Sequence, residues 1–439
     1  MKLRFNVDKV ILFVIFFAAL LPGFNVSLHW LVTPGPTRYL PPLVVMGLSI
    51  WYVHRRSVLQ ETRSGRLPVM AALWVGLLAV KLWRNHDISS GNYMQMLYYI
   101  MCFMMTLLFT RRVRWIERVW PVVRVYAVFH LATGLILLFF RDFLLNRIVP
   151  LFYLSQSGQY LLREAISNGY MTGLTYHYST MGMYMALGTV AFAPVLFERR
   201  KGHLRRWAMM AVMLLGLFMT GKRGPLVFTV MALGIVYILA ERMYTRRGFM
   251  RIMKRVLLLL LFFVLSYLFV PQVRSLVNRF LTNLGDANSY TSGRMEYMWV
   301  YAVQQFFEHL FFGTGWRGFR YMIPTLAGIN ANDAHNIYLQ VLAETGIFGA
   351  IITFGFFLYA WYAGYKAMRL QDKRGVLSPA QTNTLKISLS YQTFFLLYGI
   401  SGNPLYDEQC FVPYFISCAV CFACYARLRT KRIGDGGVK

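Results

Sequence analysis

Acidic residues are scarce in this sequence. It holds 17 Asp and Glu against 46 Lys and Arg, and charged residues make up only 14% of its 439 positions, whereas hydrophobic residues make up 57%. This composition excludes a typical soluble multidomain enzyme and predicts a polytopic membrane protein. The formal charge of +29 does not indicate a nucleic-acid partner, because the basic residues fall in short clusters between apolar runs of about 15 to 20 residues, as in membrane proteins.

Cysteine is also rare, with five residues, four of them between Cys410 and Cys424. This distribution excludes a spaced disulfide framework of the secreted kind. Cys418, Cys421 and Cys424 share the spacing of part of an iron-sulfur ligand set. An apolar helix offers neither the loop nor the fourth ligand, so we interpret them as small buried residues. No Ala-x-Ala cleavage site follows the apolar run after Lys9, which is therefore predicted to be a retained first helix.

Familiar catalytic motifs are missing as well. The sequence has no HExxH, no paired-aspartate motif and no signature of a serine or cysteine triad, so we expect no catalytic metal and no cofactor. GTGWRG (313–318) matches the dinucleotide fingerprint GxGxxG, but no βαβ unit surrounds it. We interpret its glycines as a tight loop that lets Trp316 and Phe319 reach the membrane interface.

Hydrophobic runs and the residues that interrupt them predict the fold class. It is an all-α polytopic membrane protein with about twelve transmembrane helices and a large outer helical loop between helices 9 and 10. The predicted helices cover 10–24, 39–54, 67–83, 92–110, 118–140, 179–197, 207–221, 224–241, 256–271, 346–365, 386–401 and 410–426.

Positive charge predicts the orientation. If both termini are cytoplasmic, most of the 46 basic residues fall in cytoplasmic segments, in agreement with the positive-inside rule. Two long segments then lie outside, and loops of such length are often functional. The predicted domains are 1–270, with helices 1–9 and an outer loop at 141–178; 271–345, an outer catalytic loop; and 346–439, with helices 10–12 and a cytoplasmic C-terminus.

Basic residues on the outer side run against the charge rule. Lys222 and Arg223 interrupt two hydrophobic runs in FMTGKRGPLV (218–227), and two interpretations are open. They snorkel to lipid headgroups, or they form an anion site, because Gly221 and Gly224 free the backbone and the next helix begins beside the two cations. Pro225 suits the first turn of that helix.

Arg294, in SYTSGRMEYMWVY (289–301), is a further outer cation. A cap at Thr291 or Ser292 would place it in the first turn of a helix, presenting amide donors and a guanidinium together. The alternative is a surface salt bridge with an acidic neighbour, Asp286 or Glu296. The same loop contains four more arginines that the sequence does not rank: Arg274, Arg279, Arg317 and Arg320.

His335 opens the apolar segment NDAHNIYLQVLAETGIFG (332–349). A cap at Asn332 or Asp333 would place His335 in the first helical turn, where the positive end of the dipole disfavours imidazolium and leaves the ring able to accept a proton. The alternative is a structural, hydrogen-bonded histidine. Glu344 would lie about half a turn away around the helix, so we interpret it as a structural or interface residue.

The same segment carries a resemblance. HNIYLQVLAETGIFG fits the pattern HNxxLxxLxExGxxG and resembles the O-antigen ligase and polymerase family of the bacterial inner membrane. FFGTGWRGFR (311–320) resembles the family's glycine-rich stretch ahead of the histidine, and MTGKRGPL (219–226) resembles its arginine motif after the seventh helix. The resemblance covers roughly a third of the chain, from Met209 to about Phe354. The matching positions are His335, Asn336, Leu339, Leu342, Glu344, Gly346 and Gly349.

The resemblance implies a membrane glycosyltransferase of the inner membrane with its active site facing the periplasm. It would transfer a glycan from undecaprenyl diphosphate to a hydroxyl of lipid A-core, with inversion and without a metal. On the matching positions, His335 is the catalytic base, and Arg223 and Arg294 bind the diphosphate. Asn336 and Asp333 are candidate supporting residues. A polymerase of the same family would use another lipid-linked repeat as the acceptor.

Two departures from the family pattern leave roles open. Lys222 stands where family members often have serine, so either Lys222 or Arg223 carries the main diphosphate contact. TYHYS (175–179) stands where relatives often show a proline and an asparagine, which leaves the role of His177 open. A lipid or solute transporter is the alternative of another class. The near absence of charge within the predicted helices, apart from Arg124, disfavours it.

Overall fold

The computed structural model describes ten segments of the chain, and within them it is helical and contains no strand. This confirms the prediction of an all-α protein. Arg294 and the predicted helix at 10–24 lie outside the described residues. The described segments are 40–55, 74–80, 90–111, 113–151, 156–175, 177–197, 204–241, 246–282, 298–322 and 333–434.

Thirteen α-helices of nine residues or more lie in the described segments. In chain order they are α1 (Leu40–Arg55), α2 (Ser90–Arg111), α3 (Val119–Phe139), α4 (Gln156–Ser167), α5 (Tyr178–Phe192), α6 (Leu204–Met219), α7 (Arg223–Glu241), α8 (Arg246–Phe269), α9 (Pro271–Thr282), α10 (Val300–Glu308), α11 (Ile337–Arg374), α12 (Pro379–Tyr398) and α13 (Glu408–Gly434). Shorter helical pieces lie at 74–80, Val113–Arg118, Arg141–Phe143, Leu144–Ile148, Val149–Leu151, Pro194–Phe197 and Gly318–Met322.

Four helical spans in the described part of the chain are long and apolar enough to cross a membrane. They are Ile116–Phe139, Arg223–Ala240, Ile337–Arg374 and Glu408–Arg429. Shorter apolar stretches occupy Pro42–Trp51, Gln95–Met105 and Leu260–Phe269. These helices support a membrane protein, while the count of about twelve helices and the outer loop stay predictions.

The described residues form two compact units. Residues up to 117 and from 298 onward make the first unit, and residues 118 to 282 make the second. In the first unit, α13 packs against α2, α11 and α12. Its core is aromatic: the Trp74 ring lies 5.1 Å from the rings of both Tyr99 and Phe415, and its indole N–H donates to Thr353 (3.2 Å). This packing fixes the helices that carry the His335 segment.

The second unit is built around α5. This helix packs against α3, α6 and α7, and its residues from Thr180 to Ala191 are all buried. Gly188 permits the close contact, since a Cβ there would lie 2.7 Å from the Cβ of Ala127. Arg124, the charged residue noted within a predicted helix, donates its Nε to the carbonyl of Ala191 (2.8 Å). A C-terminal carbonyl of α5 thus gains a donor that the helix itself cannot supply.

Two details of the sequence analysis can be compared directly with the helices. Cys418, Cys421 and Cys424 are buried and unpaired inside α13, as predicted. The helix predicted to begin at residue 346 begins instead at Ile337. The reason is that its first turns carry Gln340 and Glu344, polar residues that interrupt the hydrophobic run but are bonded within the protein.

Candidate functional site

His335 lies immediately before α11 in the first unit. The N-cap of this helix is Asn336, whose side-chain oxygen accepts hydrogen bonds from the backbone N–H groups two and three residues on (3.0 and 3.2 Å). The prediction that Asp333 caps the helix, with His335 in its first turn, is therefore wrong. The other predicted cap, Asn332, lies outside the described residues. Asn336 takes the extended conformation of a cap, and asparagine is among the best capping residues.

The backbone of His335 is in the left-handed region, with φ at 52°. For a non-glycine residue this conformation costs about 1 to 3 kcal/mol, and it persists only where the surroundings fix it. Arg317, with φ at 64°, is the other non-glycine residue with positive φ in the described segments. The strain at these two positions raises the question of what holds them.

Gln340 holds the chain just before His335. Its side chain is fully buried. Its Oε1 accepts from the backbone N–H of Ala334 (3.0 Å), and its Nε2 donates to Oδ1 of Asp333 (3.0 Å). The carbonyl of Ala334 accepts a further hydrogen bond from the indole of Trp299 (3.0 Å). Both residues that precede His335 are thus tied to packed side chains.

Glu344 anchors the same network from one turn further along α11. Its fully buried carboxylate accepts hydrogen bonds from Nε2 of Gln340 (3.0 Å), the backbone N–H of Arg317 (2.9 Å) and the hydroxyl of Tyr406 (2.7 Å). Three donors offset the loss of water around a buried carboxylate. This arrangement agrees with the interpretation of Glu344 as a structural residue.

Arg317 closes the network from the GTGWRG loop. Its Nε donates to Oε1 of Gln95 (3.0 Å), and another guanidinium nitrogen lies 3.6 Å from Oδ1 of Asp333. The guanidinium carbon lies 4.9 Å from the centre of the Tyr406 ring. Nearby, burial raises the pKa of Asp407 to about 7, with smaller contributions from the neighbouring carboxylates. Arg317 thus supplies positive charge beside the partly buried Asp333 and the fully buried Glu344.

The GTGWRG loop binds a break in α11. The helix is interrupted at Gly346, whose φ of 64° and ψ of −173° are not helical. Because of the break, the carbonyls of Ala343 and Glu344 accept hydrogen bonds from the loop N–H groups of Thr314 (3.0 Å) and Gly315 (2.9 Å). The tight loop predicted from the glycines is confirmed, and its partner is the helix that follows His335.

Two aromatic residues of this loop correct a prediction. Trp316 is 1% exposed and Phe319 is fully buried, so they pack inside the unit and do not reach the membrane interface. The Trp316 ring stacks on Tyr406 with 4.9 Å between centres, and its indole N–H donates to Gln95 (3.3 Å). The loop turns inward because it bonds to α11.

Lys222 and Arg223 stand at the start of α7 in the second unit. The helix begins at Arg223 and has Pro225 in its first turn, as predicted. Gly221 has φ at 70°, and a Cβ there would lie 2.2 Å from the ring of Tyr170, so any other residue would be strained and would displace that ring. The first N–H groups of an α-helix have no partner within the helix and favour anions. The turn therefore presents amides and two cationic residues together.

His177 and Lys222 meet at one aromatic ring. The His177 ring stacks on Tyr178 with 4.4 Å between centres, and the Lys222 ammonium lies 4.3 Å from the centre of the Tyr178 ring. Nδ1 of His177 accepts from the backbone N–H of Ser179 (3.1 Å) and caps α5. Burial, and then the charge of Lys222, lowers the pKa of His177 to about 4. The ring is neutral at pH 7 and carries its proton on Nε2.

The predicted site residues thus fall into two described groups. Asp333, His335 and Asn336 adjoin one another before α11. Lys222 and Arg223 are at the start of α7, with Lys222 and His177 on the same ring. Arg294 belongs to neither group, since it lies outside the described residues.

Some residues of the network were missed in the sequence. Gln95, Gln340 and Tyr406 were not predicted, and Arg317 was not distinguished from the other outer arginines. Gln340 had one usable signal, a polar residue one helical turn before Glu344 in an apolar helix. Arg317 had another, a charged residue within a glycine-rich turn. Two of the other outer arginines, Arg274 and Arg320, are exposed. The side chain of the third, Arg279, lies outside the part of the chain that the structure describes.

Most of these residues fall in one stretch of sequence. Residues 208–354 match the O-antigen ligase family. The matching family model is named Wzy_C and described as O-antigen ligase, which confirms the resemblance over about a third of the chain. No curated protein matches the chain. The O-antigen ligase stretch contains Lys222, Arg223, Arg317, His335 and Gln340, so it includes residues from both described groups.

Proposed function

We propose that this protein is an O-antigen ligase of the bacterial inner membrane. It transfers a glycan from undecaprenyl diphosphate to the lipid A-core oligosaccharide on the periplasmic face. The observation that carries the proposal is the family match at 208–354, which contains the cationic turn at Lys222 and Arg223 and the strained residue His335. Its partners are the lipid-linked glycan, lipid A-core and the surrounding membrane lipids.

The reaction is a direct displacement at the anomeric carbon of the donor sugar. His335 takes the proton of an acceptor hydroxyl, and the acceptor oxygen forms a bond to the anomeric carbon. The bond from that carbon to the diphosphate oxygen breaks, and its electron pair leaves with undecaprenyl diphosphate. Attack from the face opposite the leaving group inverts the anomeric configuration. The diphosphate leaves as an anion, so the step needs no general acid.

Positive charge at the diphosphate supplies the second part of the mechanism. Arg223 and Arg294 bind its oxygens, because a planar guanidinium forms two parallel hydrogen bonds to phosphate. Each contact is worth about 2 to 4 kcal/mol in the transition state if it resembles other preorganised donors. These arginines, and the first N–H groups of α7, take the role that a divalent metal has in other transferases.

Contacts in the second unit favour Arg223 over Lys222 as the main phosphate ligand. The Lys222 ammonium lies over the Tyr178 ring, and a cation–π contact of this kind is lost if the lysine turns fully toward a phosphate. Lys222 then contributes positive electrostatic potential at the diphosphate, and His177 fixes the Tyr178 ring by stacking on it. In the first unit, Asn336 supports His335 by capping α11, and Asp333 does so by binding Gln340.

The lipopolysaccharide of a deletion strain tests this function. A ligase predicts lipid A-core without attached polymer, while polymer accumulates on undecaprenyl diphosphate. Wild-type protein from a plasmid should restore attachment, and His335→Ala should not. The family match equally allows a polymerase, which predicts a different result: single-repeat caps on the core. Normal lipopolysaccharide in the deletion strain would exclude both activities.

A further inference from the structure

The segment before α11 holds His335 by a backbone brace. We infer that Gln340 is a positioning residue for the transfer reaction: it fixes the residues before His335 so that the imidazole is held toward the reacting groups. The inference rests on the proposed function, since it requires His335 to act on substrate. Gln340 itself is fully buried and acts only through the protein.

Both ends of the Gln340 amide form hydrogen bonds, and they fix its orientation. Its oxygen faces the backbone N–H of Ala334 at 3.0 Å. Its nitrogen faces two carboxylate oxygens, one of Asp333 and one of Glu344, each at 3.0 Å. A flipped amide would place the oxygen against both carboxylates, so only one orientation is stable. The side chain is a fixed strut between the loop and the helix.

Gln340 binds Ala334, the residue that precedes the strained His335. Ala334 is bound at both its N–H, by Gln340, and its carbonyl, by Trp299 (3.0 Å). Asn336, on the other side, is fixed as the cap of α11. His335 is the single residue between these two fixed points, and its φ of 52° follows from joining them. Release of Ala334 would let His335 relax toward the extended or right-handed region that most residues prefer.

Glu344, to which the Gln340 amide donates, is itself fixed by hydrogen bonds. Glu344 is bound by Tyr406 (2.7 Å) and by the backbone of Arg317 (2.9 Å), and Arg317 also faces Asp333. Gln340 therefore joins two carboxylates that share one cationic residue. The neutral amide donates to both, whereas a third carboxylate at this position would add like-charge repulsion in a buried site.

The test is the Gln340→Met variant of the full-length protein, with Gln371→Met as its matched control. Methionine keeps the length of the side chain and removes every hydrogen bond. Gln371 lies on the same helix and holds Leu377 by two hydrogen bonds to its backbone (2.8 and 3.0 Å). Both variants thus lose a glutamine that clamps backbone, but only one of these clamps adjoins His335.

The measurement is kcat and KM for the undecaprenyl diphosphate-linked donor, with thermal unfolding in detergent. We expect Gln340→Met to lower kcat about 10- to 100-fold, a range typical for a displaced catalytic group, while KM changes less than about threefold. Gln371→Met should keep the wild-type kcat. If Gln340→Met does not fold, Trp299→Phe removes the other clamp on Ala334 and should lower kcat several-fold.

The possible results distinguish the positioning role of Gln340 from the proposed function of the protein. Wild-type kcat in Gln340→Met, with His335→Ala inactive, would overturn the positioning role and leave the proposed function intact. Equal losses of kcat in Gln340→Met and Gln371→Met would also overturn it, since a general structural effect would then suffice. Substantial transfer activity in His335→Ala would reject His335 as the base and with it the positioning role, whereas a wild-type protein without transfer activity would reject the proposed function itself.

Discussion

At the scale of the residue, chemistry and support are carried by different side chains. His335 is partly exposed and sits on a strained backbone, whereas Gln340 and Glu344 are fully buried with their polar atoms bonded. In the second unit, Arg223 begins a helix and Lys222 lies against an aromatic ring. Single substitutions can therefore separate the transfer step from donor binding.

His335→Ala should abolish transfer and leave donor binding nearly unchanged, because the base acts on the acceptor hydroxyl and not on the diphosphate. Arg223→Ala should weaken both donor binding and turnover. Arg223→Lys should recover only part of the loss, since an ammonium keeps the charge but not the planar pair of donors. Donor affinity and transfer rate are measured on the same purified, folded proteins.

Lys222→Met provides the comparison for Arg223. It should lower donor affinity less than Arg223→Ala does, because the lysine is engaged with Tyr178.

A His335→Ala protein that keeps a tenth or more of the activity, a barrier change of about 1.4 kcal/mol or less, would show that the histidine is structural.

A second prediction concerns the stability of the protein in acid. The pKa of His177 is lowered to about 4 from its ordinary value of 6.5, so between these values the unfolded chain binds a proton that the folded protein does not. Stability is therefore lost as the pH falls through this window, by about 2 kcal/mol at pH 5 from this group. His177→Asn keeps a capping side chain and removes the titration. Its melting temperature should fall less between pH 7 and pH 5 than that of the wild type.

His309→Asn is the control for this effect, because His309 is exposed. Its melting temperature should follow the wild type across the same pH range. A wild-type pH dependence in His177→Asn would contradict the assignment of the acid sensitivity to this ring.

At the scale of the element, the break in α11 is the feature that organises the first unit. Gly346→Ala should strongly destabilise the protein. A Cβ there would lie 2.4 Å from the backbone carbonyl carbon of Phe311, and φ is 64°. A positive φ with ψ near 180° is essentially confined to glycine and costs another residue about 1 to 3 kcal/mol, and a contact with backbone cannot be relieved by a rotamer change. We expect a loss of stability of roughly 3 kcal/mol or more, which for a chain of 439 residues lowers the melting temperature by about 3 °C or more.

Gly355→Ala, on the same helix, is the matched control. No atom lies within 4 Å of a Cβ built there, and alanine favours a helix by about 1 kcal/mol over glycine. Its melting temperature should equal or exceed that of the wild type. A Gly346→Ala protein as stable as Gly355→Ala would mean that the break is not required for the fold.

The helices themselves were largely predictable, and the junctions between them were not. Hydrophobic runs placed α2, α3, α7 and α13 within a few residues of their observed bounds, apart from the C-terminal end of α13, because lipid and a packed core select the same apolar residues. The start of α11 was misplaced because its polar residues bond to the loop and not to water. A pattern of hydrophobicity alone cannot show where a buried glutamine finds its partners.

The N-cap of α11 is a second feature that the sequence alone could not determine. Asn332, Asp333 and Asn336 are all good capping residues, and the sequence favoured those upstream of His335. The structure selects Asn336, because Gln340 uses Asp333 and fixes the chain before the cap. The wider network joins Arg317 to Gln95 and Tyr406, which lie far apart in sequence, so neighbouring residues could not reveal these contacts.

At the scale of the whole molecule, charge carries information that packing does not. The two compact units have apolar helices with exposed hydrophobic side chains, such as Leu257, Leu261 and Leu265 on α8, as expected for surfaces in contact with lipid. Such a surface has no direction across the membrane. Direction comes from the basic clusters between the helices, which the positive-inside rule assigns to the cytoplasm.

The orientation yields the last prediction. Reporter domains fused after Arg206 and after Lys373 should be cytoplasmic, because these positions adjoin basic clusters. Fusions near Asn283 and Asn330 should be periplasmic, on the side where the lipid-linked glycan and lipid A-core would be joined. Alkaline phosphatase is active only in the periplasm and a fluorescent protein reports the cytoplasm, so the paired reporters check each position twice. A cytoplasmic Asn330 would place the residues just before His335 on the opposite side from its proposed substrates, and the ligase mechanism would then be untenable.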